Sequence, residues 1–196
     1  GSVKAVRWGA GSSSITDQLY HGGEVYGLSH DGSTAVGYDS SSGGGGFRPH
    51  RASIYSDHGH QQFVDTPAAG VTAPTTSEAL AANSDGSIIV GWGVFGGVQQ
   101  AFRWTSADGM SPISTLSSVA NGVSGDGSII VGSFNSGTLH HAFRWTAATG
   151  LVDLGTLPGM VRSDAFAIST DGSTIVGTTT SATGSRRAFI WRQDLG

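Results

Sequence analysis

The chain has no cysteine, which rules out a disulfide scaffold and thiolate metal sites. Lysine occurs once, at Lys4, and no block of basic residues exists. With a charged fraction of 12% and a formal net charge of -4, the composition argues against binding driven by phosphate neutralisation. The densest basic spot, Arg186-Arg187, reads as a solvated strand end. No apolar run approaches the length of a membrane-spanning helix. No secretory leader is recognisable either. The opening Gly1-Ser2 reads as a remnant of expression cloning, so cellular location has to be inferred from elsewhere. Sustained helical periodicity is missing as well.

Glycine is abundant, at 32 of 196 residues, and it is interleaved with Ser, Thr and short apolar runs. That composition predicts many short strands joined by many turns. The length suits one domain or a short repeat array with a real core.

The chain repeats itself. "AFRWTSADGM" begins at Ala101 and "AFRWTAATGL" at Ala142, 41 positions later. Asp-Gly pairs at Asp31, Asp85, Asp126 and Asp171 are each followed by an apolar run, "STAVG", "SIIVG", "SIIVG" and "STIVG". Asp-Gly between alternating segments predicts a hairpin, whose turn needs positive φ. A third strand carries the aromatic at Trp8, Tyr55, Trp104, Trp145 and Trp191. A short fourth follows a further turn. The unit is thus a four-stranded antiparallel meander of roughly 40–50 residues, the length of a propeller blade.

These patterns predict an all-β fold, a β-propeller of four-stranded blades and a single domain over 1–196. The blades are expected near 23–66, 77–115, 118–156 and 164–192. Four Asp-Gly hairpins argue for four blades, the last closed by N-terminal strands within 3–19, which removes open sheet edges. Five aromatic strands for four hairpins leave one spare, either as an extra edge strand or as part of a longer array. An open solenoid is the rival architecture. The repeated aromatics are read as core between blades. Arg7, Arg103 and Arg144, each one residue before its Trp and so on the opposite face of the strand, are read as inter-blade or surface salt-bridge residues.

Three places could carry chemistry. Seven residues before each Asp-Gly aspartate stand Glu24, Glu78, Val119 and Asp164. Around a closed ring, three of these form a carboxylate layer suited to calcium or another hard cation; a splayed, solvated rim with the acids too far apart to share an ion is the alternative. The small neighbours Val25, Ala79, Ala120 and Ala165 fit close approach to the axis. Asp57, His58 and His60 lie close together, with the histidines at strand spacing for a metal; an ordinary polar turn is the alternative. The Gly-rich insertion from Asp39 to His50 offers Phe47, Arg48 and His50 as ligand contacts; a flexible loop without a binding role is the alternative. His30, just before a turn, is expected to be exposed. No Gly-x-Ser-x-Gly elbow and no phosphate cradle is found.

The unit from His141, "HAFRWTAATGLVDLGTLPG" followed by "SDAFAISTDGSTIVGTT", resembles the bacterial HAF family of extracellular repeats. The match is strongest over Ser77 to Leu157 and degenerate from Val3 to Thr66, where "HAF" becomes "RAS". The resemblance implies a secreted or surface-displayed protein, often an autotransporter passenger, and supplies no catalytic residues. The leading expectation is therefore a non-catalytic binding or display module, adhesin-like or carbohydrate-binding, with a glycan or surface protein as partner. No required cofactor, nucleic acid or membrane insertion is expected. A polysaccharide hydrolase or lyase using the histidines or acids is the second reading, and a structural spacer the third. Loop-dependent glycan binding separates the first from the others. Histidine-dependent turnover separates the second.

Overall fold

The computed structural model describes residues 4–8, 15–21, 23–40, 50–56 and 61–194. All seventeen described elements are strands: β1 (Lys4–Trp8), β2 (Ile15–His21), β3 (Gly23–Leu28), β4 (Thr34–Asp39), β5 (Arg51–Ser56), β6 (Gln61–Phe63), β7 (Ser77–Ala82), β8 (Ile88–Phe95), β9 (Val98–Thr105), β10 (Gly109–Pro112), β11 (Ser117–Val123), β12 (Ile130–Ser136), β13 (Leu139–Thr146), β14 (Gly150–Asp153), β15 (Arg162–Ile168), β16 (Thr174–Thr180) and β17 (Arg186–Arg192). Strands β3–β6 form sheet A, β7–β10 sheet B and β11–β14 sheet C, each an antiparallel meander. Strands β15–β17 form the three-stranded sheet D, tied to sheet C by one parallel bridge from His140 to Arg162.

Two glycines explain why the repeat keeps its wording. The Asp-Gly glycines Gly32, Gly86, Gly127 and Gly172 have φ of 74°, 71°, 73° and 75°, and no described non-glycine residue has positive φ. The turn is therefore wider than a two-residue type I′ hairpin, which would need positive φ at both central residues. The aspartate supplies the missing order: Asp126 Oδ1 accepts from Ser124 Oγ at 2.7 Å, Ser128 N–H at 3.0 Å and Ser128 Oγ at 2.8 Å. The second glycine follows the valine of β4, β8, β12 and β16. A side chain at Gly37, Gly91, Gly132 or Gly177 would strike the carbonyl oxygen of Glu24, Glu78, Val119 or Asp164. The first and second strands approach there beside a bulge, at Tyr26, Leu80, Asn121 and Phe166.

The core lies between sheets. Val36, Ala79, Ile89, Phe102 and Trp104 close the A/B boundary, Val90, Ala120, Ile130 and Phe143 the B/C boundary, and Val131, Ala165 and Ile175 the C/D boundary. Trp104 is buried as expected for inter-blade core, whereas Trp145 and Trp191 are only half-buried. The small residues Ala79, Ala120 and Ala165 are fully buried in these boundaries, so close packing of sheets, rather than approach to an axis, dictates their size. Val25, their counterpart in sheet A, is 38% exposed.

Main-chain bonds also cross every boundary. Asp31 N–H donates to Ser84 O, Ser84 N–H to Gly125 O and Gly125 N–H to Thr170 O, at 3.2, 3.1 and 2.8 Å. They link the Asp-Gly turns of A, B, C and D into one belt. Buried serines add a second line: Ser77, Ser118 and Ser163 Oγ accept from the N–H of Ala52, Ala101 and Ala142 in the preceding sheet.

The expected closure is not formed among the described residues. Strand β2 pairs with β1 alone, and β17 pairs only with β16, so no fourth strand completes sheet D and no ring is closed. The spare third strand, β1, takes the partner that closure would have needed.

Candidate functional site

Side chains of β3, β4 and β7 and that of His50, just before β5, converge where sheet A meets sheet B. The bulge at Tyr26 turns its hydroxyl back to Glu24, two residues earlier, and it donates to Oε2 at 3.0 Å. Tyr38, opposite Glu24 on β4, lies 5.8 Å from the Tyr26 ring at a tilt of 39°. His50 stacks on Tyr38 with centroids 3.8 Å apart and planes 11° from parallel. Its Nδ1 stands 2.5 Å from Glu78 Oε1 on β7. The His50 carbonyl, held by Ser77 N–H at 2.9 Å and Thr76 Oγ1 at 3.1 Å, fixes the ring from behind.

The electrostatics keep both phenols neutral. Burial, the hydrogen bond to Glu24 and the Glu78 charge push Tyr26 well above the usual phenol range. Tyr38 is raised by burial and by the same two carboxylates. The patch thus offers two protonated hydroxyls, two carboxylates and stacked ring faces, with Tyr26 45% exposed.

A related arrangement lies at the C/D boundary. His140 Nε2 stands 2.7 Å from Asp164 Oδ1, and His140 Nδ1 2.6 Å from Asn135 Oδ1. Arg162 donates to Asp164 through Nε at 3.0 Å and a terminal nitrogen at 3.2 Å. Burial pushes the Asp164 carboxyl up, but the Arg162 and His140 hydrogen bonds outweigh it, leaving the group below the ordinary carboxylate range. His50 and His140 each stand two residues before the third-strand alanine, Ala52 or Ala142. The carboxylate each one meets comes from the next sheet. At the B/C boundary the corresponding pair is Gln99 and Val119, so the contact is absent there.

The three predicted layer acids are therefore engaged singly: Glu24 by Tyr26, Glu78 by His50, Asp164 by Arg162 and His140. Among the described residues no group of three His, Asp or Glu side chains is placed to hold a metal ion. Asp57, His58, His60, Phe47 and Arg48 lie outside the described residues. Of the insertion contacts, only His50 is described. His30 is exposed, as its place before a turn predicts. The expected salt bridges of Arg103 and Arg144 are not formed among the described residues; the buried Arg144 Nε has no partner, and both line a groove beside Asp126. The side chain of Arg7 is not among those described.

Sequence reading missed Tyr26, Tyr38 and His140. Aligning the units on the third-strand alanine instead of the Asp-Gly turn would have put His50 and His140 in one column.

Four antiparallel sheets packed face to face in chain order, joined turn to turn, are the architecture of a β-propeller. Solved structures carry the same fold: TolB from Acinetobacter baumannii, at 12% identity and a TM-score of 0.68, with 93% of this chain and 46% of that one aligned. A putative TolB from Agrobacterium tumefaciens follows at 18% identity and TM-score 0.66, over 91% and 62%. A prolyl endopeptidase structure aligns at 15% identity and TM-score 0.64, over 94% of this chain and 27% of that one. The chain thus spans less than two thirds of each of these neighbours, and at such identities the likeness shows the fold alone. No family model and no curated protein matches the chain.

Proposed function

We propose that the protein is a non-catalytic binding module of a secreted or envelope-associated bacterial protein, and that it contacts a glycan at the Tyr26–Tyr38–His50 stack. The observation that carries this reading is the combination of an exposed aromatic face with Glu24 and Glu78 at its edges. Sugar rings pack their C–H faces on aromatics, and carboxylates accept from their hydroxyls. The resemblance to HAF repeats supports an extracellular setting. The TolB-like fold is compatible with an envelope location. A passenger or adhesin-like role follows from the same resemblance. Closure of the propeller into a ring is part of the proposal: Val176 and Ile190 of sheet D, 40% and 70% exposed, mark a face whose valine counterparts Val36, Val90 and Val131 are fully covered by the next sheet. In a complete ring another blade covers it. A glycan array read on the parent chain, on Tyr26→Ala and on a variant lacking 41–49 tests the ligand claim. Binding lost in Tyr26→Ala is the expected result. Binding unchanged by Tyr26→Ala, or no glycan bound by the folded parent, overturns it.

A further inference from the structure

A cavity of about 190 Å³ lies where sheet C meets sheet D. Leu154, Leu157, Ser163, Thr179, Phe189 and Trp191 line it, and Leu157 is 40% exposed at its edge. The repeat shows what such a space normally holds. Counting from the valine-glycine pair of the second strand, Thr179 of β16 corresponds to Phe134 of β12. Phe134 is 5% exposed and belongs to the B/C core. At the A/B boundary the corresponding residue is Gly93, and the Phe95 ring occupies the space a Gly93 side chain would take. Phe95 is 7% exposed and part of that core. Two boundaries are therefore filled by a phenyl ring. The third has a threonine in its place and a void beside it.

The void is not purely apolar. Thr179 is fully buried, and its Oγ1 has no hydrogen-bond partner. An unpaired buried hydroxyl is costly, so a group that supplies the missing bond gains more than its packing alone. An apolar cavity of roughly 150 Å³ can admit one benzene ring. Ring-sized space, aromatic walls at Phe189 and Trp191, and one unmet hydroxyl define the occupant.

We propose that this cavity is a binding site for a phenolic ring, which takes the position Phe134 holds one sheet earlier and hydrogen-bonds through its hydroxyl to Thr179 Oγ1. The ring comes either from a free small phenol or from a tyrosine side chain of a peptide. The site is separate from the Tyr26 patch, so its test is independent of the glycan reading.

The probes are p-cresol, toluene and N-acetyltyrosinamide, added to the parent chain and read by calorimetry and thermal shift. The parent is expected to bind p-cresol about tenfold more tightly than toluene, the increment of one neutral hydrogen bond. Thr179→Phe fills the void as Phe134 does, and should abolish binding of both while melting at or above the parent temperature. Thr179→Val keeps the volume and removes the hydroxyl; it should bind the two probes equally. Binding of N-acetyltyrosinamide, lost in Thr179→Phe, assigns a tyrosine side chain. Its exclusion with p-cresol retained assigns a free phenol. No response of the parent to p-cresol overturns the proposal. So does an unchanged p-cresol preference in Thr179→Val, a result that does not depend on the bulkier variant folding.

Discussion

His140 Nε2 lies 2.7 Å from Asp164 Oδ1, and the bond crosses from the third sheet of the propeller to the fourth. Its counterpart, His50 to Glu78, crosses from the first to the second. Both sit at the same place in the repeat, with both partners at most one third exposed. The boundary between them has Gln99 and Val119 instead, and no such side-chain pair crosses it among the described residues.

A double-mutant cycle measures what the clamp contributes. His140→Ala and Asp164→Ala, singly and together, should give a coupling of about 1–2 kcal/mol in urea denaturation, the range for a charge-assisted hydrogen bond with partial burial. The same cycle on Gln99 and Val119 should give a coupling near zero.

The buried serines should be costly to remove. Ser118 Oγ accepts from Ala101 N–H at 3.0 Å and donates to Leu116 O at 2.9 Å. Ser118→Ala leaves a buried N–H unpaired, and about 1–3 kcal/mol of stability should be lost in equilibrium unfolding. Ser111→Ala, a serine of β10 with no such bond to the next sheet, is the control and should change little.

Acid should loosen the Asp-Gly turns together. Hydrogen bonds from the Ser124 hydroxyl and from Ser128 pull the Asp126 carboxyl down to about 2; Asp31 and Asp171 are lowered by equivalent serine bonds, and Asp85 by those of Ser87. A folded-state pKa below the unfolded one stabilises the fold above the unfolded value, and that contribution is lost as pH falls through the folded value. The melting temperature should therefore decline between about pH 4 and pH 2. Asp126→Asn keeps one acceptor oxygen but not the charge, and its melting temperature should fall less steeply over that interval. An identical slope in the variant would assign the acid limb elsewhere.

The repeat and its strands were legible in the sequence because backbone geometry dictates the residues that mark them. Gly127 needs positive φ, and Gly132 faces a carbonyl oxygen that no side chain could clear. Those demands are local, so they are written in every copy. Ring closure was not legible, because the pairing of β2 with β1 or with β17 depends on which edge it meets, and both choices satisfy the same local pattern. The Tyr38–His50 stack joins residues on either side of a long insertion and requires the register of β4 on β5. The change from Phe134 to Thr179 was visible in the aligned units. Its consequence, a void, appears only when sheet D is laid against sheet C.

The belt of main-chain bonds through Asp31, Ser84, Gly125 and Thr170 constrains how the chain can change in length. Each link joins one turn to the turn one unit further on, and it uses peptide groups alone, so no particular side chain has to be preserved. A duplicated unit carries a donor on one side and an acceptor on the other. It can enter between two existing units and restore every link. An added segment of half a unit brings a strand pair with no turn in register and breaks the chain of links where it lands. Growth and loss in this protein should therefore proceed by whole units, with odd-sized insertions confined to connections that leave the Asp-Gly turns in register, such as those from Phe63 to Ser77 and from Asp153 to Arg162.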